Sequence, residues 1–288
     1  MRKKPMTRAR IKRIIRRAFT YAFLIAVGIF MIYPLLFMLS GTFKTNQELF
    51  TTLSLVPKSF SFEAYVNGWQ GTGQYSYTRF YANTFKLVIP TVLLTLISST
   101  LVAYGFSRFK YRGRNLLFML MLSTLMLPET VTIIPKFILF NKLGWLNSYR
   151  PFIIPAAFAG NAFFVFMMVQ FFRGIPKELD EAAKIDGCNS LRILVEVLVP
   201  LLTPVLFSVG IFQFIWTWND FFKALIYISD VKTYPLSLAL KMSVDVSSGV
   251  KWSEVLAMSF LAILPSVVIF FLAQKHFVEG IASTGIKG

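Results

Sequence analysis

A-F-T-Y-A-F-L-I-A-V-G-I-F-M-I-Y-P-L-L-F-M-L-S-G-T-F, residues 18–43, runs for 26 positions without a charged side chain. A helix needs about 20 apolar residues to cross a bilayer. Four more charge-free stretches follow at 87–107, 151–172, 197–219 and 255–274. Their even spacing excludes a soluble domain hung on one anchor. The whole chain agrees: 56% of its residues are hydrophobic and 15% are charged, against roughly 25% charge in ordinary globular domains. The first run is longer than a signal-peptide core of roughly 7–15 residues and no A-x-A-like site follows it, so it reads as a membrane helix.

A sixth crossing is hidden between Arg114 and Arg150. It is apolar from Asn115 to about Phe140 but interrupted by Pro128, Glu129, Pro135 and Lys136. Prolines and charges at membrane depth are tolerated where protein or a cavity surrounds them, which places this kinked helix inside a bundle. The reading is therefore an all-α integral membrane protein. A basic N-terminus at 1–17 precedes helices at about 18–43, 87–107, 115–140, 151–172, 200–228 and 255–274, and a tail follows at 275–288.

The formal net charge of +17 points to topology rather than to nucleic acid, since nine Lys/Arg and no acid crowd residues 1–17. With both termini cytoplasmic, the inner segments hold 19 of the 30 Lys/Arg, as the positive-inside rule expects. One cysteine and one histidine offer no metal site. No Walker-type phosphate loop occurs, so any ATP chemistry belongs to a partner.

One inner loop is neither short nor plain. Residues 173–199 contain R-G-I-P-K-E-L-D-E-A-A-K-I-D-G, in which Pro176 suits a helix start and Glu178, Asp180 and Glu181 crowd the first turn, favoured by the helix dipole. Leu179, Ala182 and Ala183 form a small apolar face, and Gly187 supplies a left-handed stop. Asn189 or Ser190 caps a second helix with Leu191, Leu194, Val195 and Leu198 on one face and Arg192 paired with Glu196 on the other. Two short helices at a sharp turn make a docking knob; a plain amphipathic connector lacks the acidic start, the Ala pair and the Gly at these offsets.

The run Glu181, Ala182, Ala183, then Gly187, then Val197-Leu198-Val199-Pro200 resembles the EAA loop of ABC-importer permeases, with Val at two positions where Ile and Leu are usual. Further similarity lies in Phe43–Phe50 (F-K-T-N-Q-E-L-F), Leu127–Trp145, Trp218–Phe221 (W-N-D-F) and Phe277–Gly288, and points to carbohydrate-uptake permeases of the maltose type. The resemblance implies a permease subunit in a bacterial inner membrane, forming half of a sugar path with a second permease. Two ATP-binding subunits would hold ATP and Mg, and an extracytoplasmic solute-binding protein would deliver cargo. It makes Glu178, Glu181, Ala182, Ala183, Asp186 and Gly187 the coupling residues, with Phe277–Gly288 a second ATPase contact and Asp230–Glu254 the segment towards the binding protein. The motif does not choose a cargo, so a polyol, phosphate ester or amino acid importer is the alternative. A membrane enzyme would need clustered ionisable groups at one membrane face, and the one dense acidic cluster, Glu178 to Asp186, is interleaved with lysines and lacks histidine; a stand-alone channel leaves the loop unexplained.

The fifth helix places Gln213, Trp216, Thr217 and Asp220 at i, i+3, i+4 and i+7, making one face polar. With Asn219 these are the candidate substrate residues: Trp216 and Trp218 stack on sugar rings while the amides and the carboxylate bond hydroxyls. The competing reading is an interfacial tryptophan belt with Asp220 marking the helix exit. Glu129 and Lys136, seven apart, pair either as a structural kink or as a gate. Thr91, Thr95, Ser98 and Ser99 read as helix-packing hydroxyls.

Overall fold

A computed structural model of the chain describes residues 8–71, 74–244 and 249–284, with side chains from 12 to 272. Every regular element among the described residues is helical. The helices are α1 (Arg8–Gly41), α2 (Asn46–Thr51), α3 (Glu63–Gln70), α4 (Tyr77–Arg108), α5 (Arg114–Thr124), α6 (Glu129–Lys142), α7 (Arg150–Ala157), α8 (Ala162–Gly174) and α9 (Glu178–Ile185). There follow α10 (Ser190–Leu201), α11 (Thr203–Trp218), α12 (Phe222–Tyr227), α13 (Leu236–Val244) and α14 (Trp252–Thr284). Among the described residues, four helical segments are long and apolar enough to cross a membrane, and six if each of two bent pairs counts as one.

The chain divides into two units, Met1–Trp69 with Ser247–Leu261, and Gln70–Val246 with Ala262–Gly288. In the smaller unit the stretch Phe43–Phe50 is a structural clasp. Thr45 caps α2 by accepting from the Glu48 amide, and buried Glu48 accepts the Lys58 amide at 3.0 Å. Buried Lys44 donates to the Ser54 carbonyl, and Phe43 packs in a cluster with Phe60, Phe62 and Tyr65. Asn46 holds Val250 and Ser253.

The larger unit is built around α4, which packs on α7, α8 and α11. Its main core joins Ala103 and Tyr104 of α4, Phe164 to Phe172 of α8, and Leu202, Val205 and Val209 around α11. Helix α4 starts ten residues before the charge-free run at 87–107. Its first turns hold Arg79, whose guanidinium stacks 4.7 Å from the Tyr75 ring, and exposed Lys86. Charged groups on long stems extend a membrane helix past its charge-free part.

Three expected helices are broken. The helix expected at 115–140 becomes α5 and α6, bent by 102°. The break spans Leu125 to Pro128, where Pro128 disfavours helical backbone in the residue before it and itself leaves the helical region at ψ 139°, whereas Pro135 stays within α6. The helix expected at 151–172 is interrupted at 158–161. There Ala159 has φ 53°, and a Cβ on Gly160 would lie 2.7 Å from the Pro155 carbonyl oxygen, so only glycine fits. The helix expected at 200–228 is bent by 81° between α10 and α11, where Pro204 begins a new helix, and interrupted again at 219–221 before α12. At the C-terminus, α14 continues past 274 to Thr284, with residues 285–288 of the expected ATPase-contacting tail outside the described residues. Residues 1–7 of the basic N-terminus and 245–248 of the Asp230–Glu254 segment also lie outside them.

Candidate functional site

The bent segment forms as its sequence dictates and attaches to the larger unit by one side only. Gly187 has φ +82° in open surroundings. The Cys188 amide bonds the Ala183 carbonyl at 2.9 Å and the Gly187 amide bonds that of Lys184 at 3.0 Å, the two bonds of a Schellman C-cap. Asn189 caps α10 by accepting the Arg192 amide at 2.8 Å, and Arg192 Nε meets Glu196 at 2.8 Å.

The two faces of α9 have different fates. Asp180 and Ala183 are buried, whereas Glu178, Glu181, Ala182, Asp186 and Gly187 are exposed. Ile185 is 87% exposed beside them. Ala183, grouped in the sequence with the coupling residues, packs instead with Ile193, Leu194 and Leu198 in the main core. In α10 the expected apolar face is partly rotated: Leu194 and Leu198 are buried, but Leu191 and Val195 are exposed and Ile193 takes the inner place. A π-helical winding over Ile193–Leu198 causes the rotation.

Buried Asp180 faces the end of α4. Arg108 Nε lies 2.7 Å from Asp180 Oδ2, with the two side chains 7% and 11% exposed, and Arg108 Nη2 donates to the Ile175 carbonyl at 3.0 Å. The Nε–Oδ2 approach lacks hydrogen-bond alignment, so the attraction is Coulombic. One turn earlier, the Tyr104 hydroxyl donates to the Ser190 carbonyl at 3.0 Å.

The second site is a cavity of about 1050 Å³ within the larger unit. Three of the four helix breaks line it, Leu125 and Leu127 from the first, Ala159 to Asn161 from the second, and Asn219 to Phe221 from the third, whereas the bend between α10 and α11 does not. Backbone groups freed at a break are costly against lipid and tolerable where they line an aqueous space. Chain interruption and polar lining therefore have one cause.

Four of the five expected substrate residues line this cavity: Gln213, Trp216, Asn219 and Asp220. Thr217 does not; it is buried and accepts a 2.6 Å bond from Gln213 Nε2, orienting that amide. Trp216 is 46% exposed and backed by Phe163, Phe164 and Phe212, with ring centroids 5.1 to 6.1 Å away. Such a braced indole is a ready stacking platform. Trp218, expected to stack on sugar as well, is buried, donates Nε1–H to the Ala262 carbonyl at 3.0 Å and stacks on Phe214. Its place is architectural. Replacing it with Ala is expected to cost about 3 kcal/mol of folding stability, as for large aromatic residues in cores, read as a lowered unfolding temperature in detergent.

Asp220 is tied down. Its Oδ2 lies 2.9 Å from Lys223 Nζ, and its Oδ1 accepts the Lys223 amide at the start of α12. Lys223 also reaches Glu129 Oε1 at 3.2 Å. The Glu129–Lys136 pair expected from sequence is therefore replaced by Glu129–Lys223, which ties the first helix break to the third. Asp220 and Lys223 stand at a readable i, i+3 spacing, whereas Glu129 is remote from Lys223 in the chain and gave no signal of their pairing. The hydroxyl residues of α4 divide: Ser98 donates across to the Ala156 carbonyl at 2.6 Å, a packing role, while Thr91, Thr95 and Ser99 line the cavity.

Residues 96–283 match the profile of the family described as "Binding-protein-dependent transport system inner membrane component". The chain is 33% identical to the probable ABC transporter permease protein YurM of Bacillus subtilis, over 94% of this chain and 87% of that protein. It is 31% identical to the galactooligosaccharides transport system permease protein GanQ of Bacillus subtilis, over 97% and 98%. Its fold is similar to a chain in the crystal structure of a bacterial ABC transporter involved in the import of the acidic polysaccharide alginate, with a TM-score of 0.82, 25% identity, and 96% of this chain and all of that one covered.

Proposed function

Because this chain belongs to the family of binding-protein-dependent transport system inner membrane components, we propose that it forms half of the membrane path of an importer for a sugar or oligosaccharide. A second permease completes the path, two ATP-binding subunits drive it, and an extracytoplasmic binding protein delivers the cargo. Each bent pair, α5 with α6 and α10 with α11, counts as one crossing, which makes six, with both termini in the cytoplasm. The excess of Lys/Arg on the inner segments supports that orientation. It sets the outward face of α9, with Glu178, Glu181, Ala182, Asp186 and Gly187, towards the ATPases in the cytoplasm, and Ile185 adds an apolar contact there. Ala183 serves the same coupling from inside, by anchoring α9 to the core.

The observation that carries the cargo reading is the cavity at the three helix breaks. It combines the braced face of Trp216 with the amides of Asn161, Gln213 and Asn219, the mix of apolar surface and hydroxyl-bonding groups that saccharides require. Galactooligosaccharide transport by a relative similar over nearly its whole length supports the same class. When the cargo binds, the bundle switches between two packings whose populations ATP and the binding protein bias. Hydrolysis of ATP takes place in the partners, not in this chain.

The test is uptake into proteoliposomes holding the full complex, with labelled galactooligosaccharides and arabinooligosaccharides as probes and a polyol, a phosphate ester and an amino acid as competitors. Saccharide uptake that needs ATP and the binding protein is expected. Trp216→Ala is expected to lower it about fivefold, the worth of one aromatic contact of roughly 1 kcal/mol. Competition by the amino acid or phosphate ester alone would reassign the cargo.

A further inference from the structure

Four basic residues, Arg108, Lys110, Arg112 and Arg114, crowd the junction of α4 and α5, yet one of them does not face water. Arg108 is buried against Asp180, whereas Lys110, Arg112 and Arg114 are exposed or half-buried. We propose that Arg108 and Asp180 are positioning residues that convert movement of α9 into movement of α4, and through it into a change at the cavity wall. The proposal rests on the coupling role assigned to α9 above.

Three observations lead there. First, α4 is continuous from Arg108 back through Ser99, Thr95 and Thr91, which line the cavity. At 1.5 Å per residue the pair sits roughly 14 Å from Ser99 and roughly 26 Å from Thr91 along one helix, a stiff lever. Second, the acids of α9 are divided between two tasks. Glu178, Glu181 and Asp186 point outward, and only Asp180 turns inward to α4. Third, a buried ion pair is a poor device for stability, since apolar residues of similar size usually serve as well. Its value is directional: opposite charges in a low-dielectric setting resist separation, while the packing of Ala183 on the same side permits sliding. The Tyr104–Ser190 bond adds a second tie one turn along. Spatial continuity alone does not demonstrate coupling, so the test measures transmission itself.

The assembled complex, with Cys188 replaced by Ser and Thr95→Cys introduced, is labelled with a hydrophilic maleimide with and without ATP and vanadate. In this background ATP and vanadate are expected to change the labelling rate roughly fivefold, the low end of ordinary allosteric couplings. In Arg108→Met/Asp180→Leu the change is expected to vanish, while the ATPase subunits co-purify and hydrolyse ATP as before. An equal response in both proteins overturns the proposal, as does no response in the background. If the apolar variant fails to co-purify, the swap Arg108→Asp/Asp180→Arg decides. A restored response supports the proposal; a swap that assembles without response, or does not assemble, overturns it. The coupling role of α9 is tested separately by cross-linking Glu178→Cys to the ATPase subunits, and lack of that cross-link removes the underlying reading whatever the pair does.

Discussion

Gly187→Val is expected to reduce uptake roughly twentyfold while the protein still inserts and accumulates in the membrane. Gly187 occupies φ +82° with nothing near the position of a Cβ, so the effect comes from backbone conformation and not from a clash. A side chain in the left-handed region costs about 1–2 kcal/mol, and a β-branched one is the worst tolerated. The chain would relieve that strain by releasing the bonds from the Cys188 and Gly187 amides to the Ala183 and Lys184 carbonyls. The last turn of α9 then unwinds, displacing Asp186 and exposed Ile185 from the face proposed to meet the ATPases. Asparagine visits the left-handed region readily, so Gly187→Asn is expected to keep most of the activity. Equal loss in both variants would mean that the absence of a side chain matters, not the backbone angle. Uptake and co-purification of the ATPase subunits, measured side by side, check the expectation.

Lys223→Met carries the second large effect. Lys223 Nζ stands between Asp220 at 2.9 Å and Glu129 at 3.2 Å. Removing it leaves two carboxylates without their cation, one of them nearly buried. Breaking a buried pair costs about 3–5 kcal/mol. Lys223 is 35% exposed and Glu129 is on the surface of the cavity, so water screens part of this and about 2 kcal/mol is the expected loss. The penalty falls on the joint between the first and third helix breaks, where the cavity is shaped. Uptake is expected to fall at least roughly tenfold, since about 1.4 kcal/mol at such a joint is already a factor of ten, with a lower unfolding temperature in detergent. Asp220→Asn in the Lys223→Met background is expected to recover part of the stability by removing one orphaned charge. No recovery would show that Asp220 acts through its cap on α12 rather than through its charge.

Sequence periodicity located α9 and its stop because the signals are local. An acidic first turn and a left-handed glycine act within a few residues of where they stand. A fixed helical period puts Leu191 and Val195 on the apolar face of α10, but its π-helical segment changes the number of residues per turn and the period drifts. Trp216 and Trp218 look alike in the sequence because composition does not carry which of two neighbouring indoles the bundle covers. The Glu129–Lys136 pair failed for the same reason on a larger scale: Lys223 is distant in the chain and adjacent in space.

The chain's apolar runs and its bent acidic segment by themselves determined that this is a helical membrane protein with a short helix–turn–helix between two of its apolar runs, since both follow from how single residues partition between water and hydrocarbon and from how they bias their own backbone. Only the packed structure decided where the helices break into one cavity, that Thr217 and Trp218 support rather than line it, and that Asp180 faces Arg108. Those outcomes depend on which distant segments meet, and a burial or an ion pair exists only after the chain has folded around it.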